Sequence, residues 1–117
     1  MTLKTYELNG VTIVQVPVTT LDISNVDEFR TAMSAVLQDA QNIVIDLDQV
    51  EFVDSSALGA FLSFLRRLNA AGGDLKLARM RKSVRTLFEL VRMHRVFEIV
   101  DTPEAAVELF NQAGSKQ

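Results

Sequence analysis

The chain of 117 residues contains no cysteine and only one histidine, His94. Without cysteine there is no disulfide framework, thiolate metal site or thiol nucleophile, and nothing argues against a reducing compartment. His94 has no spaced carboxylate or histidine partners, so a metal site is unsupported, and a solvated or capping role is expected. The sole histidine lies far along the chain from the serines considered below, and there is no G-x-S-x-G elbow, so hydrolysis through a serine nucleophile has no basis. A P-loop or other glycine-rich phosphate cradle is also missing, which leaves no cofactor or nucleotide to expect. No apolar run reaches membrane-spanning length, and Met1 to Tyr6 lack a basic stretch leading into an apolar core. Neither direct membrane insertion nor secretion is expected, and the expected location is cytoplasmic.

The composition present is that of an ordinary globular domain, 48% apolar and 23% charged. The expected unit is one domain over residues 1–117, with an ordered core of about 3–112 and a frayed tail from Gly114. Net charge is -3, which argues against broad nucleic-acid binding, but it is unevenly spread. Residues 1–54 set Lys4 and Arg30 against nine carboxylates, whereas residues 55–117 hold ten bases and six acids.

Thr5 to Leu8, Asn9-Gly10 and Val11 to Val16 read as a hairpin, because Asn-Gly takes the positive φ values of a type I′ turn. After Pro17, Ser24 or Asp22 is placed to cap a helix whose Val26, Phe29, Met33, Val36 and Leu37 share one face. The β-branched run Ile43 to Leu47 suits a central strand, and Val50 to Val53 carries the chain on to Asp54-Ser55-Ser56. A second helix follows with Leu58, Phe61, Leu62, Leu65 and Leu68 on its inner stripe, closed by Gly72-Gly73. Phe64 falls on the flank of that stripe, at the core edge. Asp74 to Ala78 reads as a strand, Val84 to Val91 as a third helix and Val96 to Val100 as a brief edge strand. Thr102-Pro103 starts a last helix running to about Gln112. The fold class is α/β: a mixed sheet opened by an antiparallel hairpin, with about four helices packed against it.

Asp54, Ser55 and Ser56 lie where a strand feeds a helix, at the sheet edge where α/β proteins commonly bind ligands and partners. A phosphoserine is well accommodated there, since free N–H groups and the positive dipole end favour an anion. Asp22 is placed to reach the same edge. Asp and Ser are equally the ordinary helix caps, a role that needs no regulation. Arg79, Arg81, Lys82, Arg85, Arg92 and Arg95 make a basic stretch whose one phenylalanine, Phe88, falls on the apolar face of the helix, and the stretch reads as a solvated face.

The run Val53-Asp54-Ser55-Ser56-Ala57-Leu58-Gly59-Ala60, preceded by Ile43 to Leu47 and followed by an amphipathic helix with Gly72-Gly73, resembles the signature of anti-sigma factor antagonists of the STAS group. The resemblance extends from the hairpin through Leu21-Asp22 and Ser83 to Leu90 as far as the last helix. It implies a STAS-like fold and a non-enzymatic role, with Ser55 phosphorylated by a partner that is both anti-sigma factor and serine kinase. Ser56 is the competing acceptor, expected to point elsewhere at the helix start. The resemblance further implies that the phosphorylated form releases this partner and that a separate serine phosphatase restores the unmodified form. The implied partner surface comprises Leu21, Asp22, Asp54, Ser55, Ser56, Ala57, Leu58 and Gly59. There are two departures from the family pattern, which commonly has glycine at Ala57 and Gly-Glu in place of Thr19-Thr20. The rival reading is a constitutive STAS adaptor of a transporter or signalling complex.

Overall fold

The computed structural model describes residues 1–115. Strands β1 (Lys4–Leu8) and β2 (Val11–Gln15) form the expected hairpin, with Asn9 at φ 50° and Gly10 at φ 83°. Both turn residues thus occupy the left-handed region that a type I′ turn demands. The chain continues through β3 (Thr20–Leu21), α1 (Val26–Asp39), β4 (Asn42–Asp46), β5 (Phe52–Val53) and α2 (Ser55–Ala70). It ends with β6 (Asp74–Ala78), α3 (Lys82–Leu90), a 3-10 turn (Met93–Arg95), β7 (Glu98–Val100) and α4 (Pro103–Ser115). The main sheet has the order β1-β2-β4-β6-β7, antiparallel only between β1 and β2.

Burial on both faces explains why the central strands read as nearly unbroken apolar runs. On β4, Ile43 and Ile45 join the larger core beneath α1, α2 and α3, while Val44 joins the smaller core beneath α4. Alternation on β2 works in the same way: Val14 faces the three helices, and Val11 and Ile13 face α4. The larger core is knit by edge-on or tilted phenylalanines, with Phe29 against Phe61 and Phe64, and Phe88 against Phe61 and Phe97. Phe64 is therefore a core residue packed on α1, deeper than its place on the helical stripe suggests.

Several local expectations are corrected. The N-cap position of α1 falls on Asn25, not on Ser24 or Asp22, and its side chain makes no capping bond; Ser24 and Asp22 are engaged in a turn that precedes the helix. Only Phe52–Val53 of the 50–53 run is a strand, pairing with β3 and not with the main sheet. The edge strand begins at Glu98, since Met93–Arg95 takes up the preceding residues as a 3-10 turn. Helix α4 passes Gln112 and reaches Ser115, as no proline interrupts its hydrogen-bond ladder; of the expected tail, Lys116 and Gln117 lie outside the described residues. Its start is as expected, with the Ala105 amide donating to the Thr102 hydroxyl at 3.0 Å. Gly72, at φ 86°, closes α2, and the Gly73 amide donates to the Leu68 carbonyl at 2.8 Å in a Schellman-type ending.

Candidate functional site

The site is assembled by the small parallel pair that the sequence does not announce. Thr20 pairs with Phe52 and Leu21 with Val53. The Asp54 amide donates to the Leu21 carbonyl at 3.2 Å, and the amides of Glu51 and Phe52 both donate to Thr19. This ladder brings the segments bearing Asp22 and Asp54 together, as Asp22 was expected to allow.

Asp54 is the N-cap of α2 and is supplied with donors on both carboxylate oxygens. Oδ1 accepts from the Ala57 amide at 3.1 Å and from the Ser56 hydroxyl at 2.5 Å, and Oδ2 accepts from the Ile23 amide at 3.0 Å. These bonds, that from the Ser56 hydroxyl foremost, hold the Asp54 carboxyl below the usual carboxylate range, so it is ionised at neutral pH. Asp22 is tied within its own loop. Its Oδ1 accepts from the amide and hydroxyl of Ser24, its amide donates to Asn25 Oδ1, and Asn25 Nδ2 donates to the Thr20 carbonyl at 2.8 Å.

The two serines are thereby distinguished. Ser56 is half-buried with its hydroxyl committed to Asp54, whereas Ser55 is exposed and its hydroxyl makes no hydrogen bond among the described residues. Gly59 is exposed one turn further along α2, with open space where a side chain would stand. Leu21, Ala57 and Leu58 are buried, so their part in the expected surface is to hold its backbone. Sequence reasoning missed two neighbours, Ile23 at 76% exposure and Phe52 at 49%. The available signal was an isoleucine between Asp22 and Ser24, and a phenylalanine alternating with the inward Val53.

Behind the site, the segment after β6 grips the 47–51 loop. Arg79 meets Asp46 at 3.2 Å and Asp48 at 2.9 Å, Arg81 Nε donates to the Asp48 carbonyl at 2.6 Å, and the Ser83 hydroxyl donates to the Glu51 carbonyl at 2.8 Å. The basic stretch is therefore only partly a solvated face. His94 is half-buried, its Nδ1 enclosed without a hydrogen-bond partner among the described residues, which differs from the solvated or capping role expected.

Comparison with known proteins places this arrangement. The sequence profile of the STAS domain matches residues 2–106. The chain belongs to the STAS domain family. A STAS relative, the anti-sigma F factor antagonist of Paenibacillus polymyxa, is 30% identical over 83 residues, covering 69% of this chain and 71% of its own. The crystal structure of an anti-sigma factor antagonist from Mycobacterium paratuberculosis has a TM-score of 0.82 at 24% identity, covering 92% of each chain. SpoIIAA of Bacillus, solved in its phosphorylated form, gives 0.69 at 20% identity, covering 92% of this chain and 98% of its own. The STAS fold also occurs outside such regulators: the murine anion transporter Slc26a9 gives 0.76 at 21% identity, with 92% of this chain matching 18% of the transporter. Among the described residues, no helix is long and apolar enough to cross a membrane.

Proposed function

We propose that this STAS protein is a cytoplasmic, non-enzymatic anti-sigma factor antagonist that works by partner switching. In its unmodified form it binds a partner that is both anti-sigma factor and serine kinase, freeing the sigma factor. Phosphorylation of Ser55 releases the partner, and a serine phosphatase restores the binding form. The carrying observation is the contrast between the serines: the Ser55 hydroxyl is exposed and uncommitted, while that of Ser56 is half-buried on Asp54.

The chemistry supports a switch that leaves the fold intact. A phosphate adds roughly -1.5 to -2 charges. At Ser55 it would stand at the first turn of α2, where the helix dipole favours it, beside an already ionised Asp54. An acidic or tightly desolvated partner surface would then meet concentrated negative charge. Ile23, whose amide is bonded to Asp54, and Phe52, three residues before Ser55, supply exposed apolar area, the kind of anchor that carries binding energy when a partner covers it.

Phosphopeptide mapping of the protein from its own cells, across growth and stress conditions, tests the acceptor. Calorimetry of Ser55→Ala and Ser55→Asp with the kinase recovered from those cells tests the switch. Phosphate is expected on Ser55 and not Ser56, with Ser55→Asp losing binding and Ser55→Ala retaining it. Unchanged binding by Ser55→Asp, with no phosphate under any condition, would leave the constitutive adaptor as the better reading.

A further inference from the structure

The corner that follows α3 combines features that are separate elsewhere on the surface. Leu90 is 77% exposed, and Val91 and Val96 are each 52% exposed. Among the described residues these are three of the six large hydrophobic side chains that stand exposed, and they fall within seven consecutive residues. Between them Arg92 adopts φ 62°, a left-handed conformation that glycine takes freely and arginine does not. Val96 is exposed while its neighbour Phe97 packs on Phe88, so the corner is anchored to the core although its apolar side chains face outward.

The cations at this corner are mostly uncommitted. Arg85 pairs with Glu89 at 3.3 Å, and Arg79 with Asp46 and Asp48. Arg92 and Arg95 are exposed and have no carboxylate partner among the described residues. A merely solvated basic face has no use for an exposed leucine and two valines. Their combination with unpaired cations specifies the complement: apolar at its centre and carboxylate-bearing around it.

We propose that this corner docks an acidic amphipathic segment of a partner protein. Leu90, Val91 and Val96 meet its apolar stripe, and Arg92 and Arg95 meet its carboxylates. The surface is distinct from that around Ser55. The N-terminal end of α3 reaches the Ser55 region through the Ser83–Glu51 bond, and Leu90 lies at its other end, about 11 Å away along the helix axis. Docking at the corner is therefore independent of the state of Ser55 and does not rest on the partner-switching reading. Nucleic acid is disfavoured because Phe88, the phenylalanine within the basic stretch, is buried and offers no face for base stacking.

Fluorescence anisotropy with the full chain tests this, using a labelled helical peptide with a leucine stripe and a glutamate face, beside a counterpart with lysine for glutamate. The expected result is saturable, salt-weakened binding of the acidic peptide only, reduced about tenfold or more by Leu90→Glu or by Arg92→Glu with Arg95→Glu, and unchanged by Ser55→Asp. Circular dichroism confirms that these surface variants fold. No saturable binding up to millimolar peptide, equal binding of the two peptides, or Leu90→Glu binding as wild type would overturn the proposal. So would phosphatidylglycerol vesicles or a second copy of the chain occupying the corner, seen as Leu90-dependent vesicle flotation or as self-association in sedimentation, with the acidic peptide failing to compete.

Discussion

The amide of Ile23 donates a 3.0 Å hydrogen bond to Oδ2 of Asp54, joining two residues 31 positions apart. Through this bond one carboxylate both caps a helix and fastens the loop beside it, since its other oxygen serves Ala57 and Ser56. The Asp-Ser-Ser turn is thus a rigid platform from which Ser55 projects.

The Ser56 hydroxyl is the leading cause of the lowered Asp54 pKa, so Ser56→Ala should raise it toward the ordinary carboxylate range. The sign for stability follows. A carboxyl whose folded pKa is depressed contributes stability that is fully present above its unfolded value, about 3.9, and is lost as pH falls through the folded value. In Ser56→Ala the loss sets in at the same pH, is complete at a higher pH and is smaller. Carbon-detected NMR titration of the Asp54 carboxyl reads the midpoint directly, and an unmoved midpoint would contradict the assigned cause.

Gly59 separates stability from binding. It sits inside α2 with open space at its Cβ position, so Gly59→Ala should stabilise the helix by about 1 kcal/mol. The same methyl stands one turn from Ser55 on the proposed partner surface and should weaken partner binding. Urea midpoints and calorimetry, taken together, should move in opposite directions; tighter binding would remove Gly59 from the interface.

Gly73 gives the contrasting case. A methyl there would overlap the backbone carbonyl of Gln41, where β4 and β6 begin side by side. Gly73→Ala should destabilise by about 2–3 kcal/mol, measured by urea unfolding. A neutral result would mean that the helix ending and strand start can separate freely.

Arg79 holds Asp46, which is only 3% exposed, from a left-handed backbone at φ 55°. Arg79→Ala should cost about 1–3 kcal/mol, because the buried carboxylate loses its cation while the strained backbone remains. Arg79→Gly should be milder than alanine, since glycine removes the strain though not the lost ion pair. Equal losses would show that the backbone conformation is not costly here.

Local signals carried much of the fold. Asn9-Gly10 specified its turn, and Thr102-Pro103 and Gly72-Gly73 specified helix ends, because each depends on backbone chemistry within a few residues. The run Ile43 to Leu47 revealed a central strand, since burial on both faces demands apolar residues at successive positions. The β3 strand and its pairing with β5 escaped notice: two residues are too few for an alternation, and the pairing joins segments about thirty residues apart.

The amino-acid sequence by itself determined the order of elements, the fold class and the place of Asp54-Ser55-Ser56 between a strand and a helix. Those follow from short-range backbone preferences and from the spacing of apolar side chains. Only the tertiary structure decided that Ser56 is held by Asp54 while Ser55 stands free, that the Ile23 amide is bonded to Asp54, and that Leu90, Val91 and Val96 face outward. Exposure and hydrogen-bond partners depend on which distant segments pack together, and residue spacing along one segment carries no record of that choice.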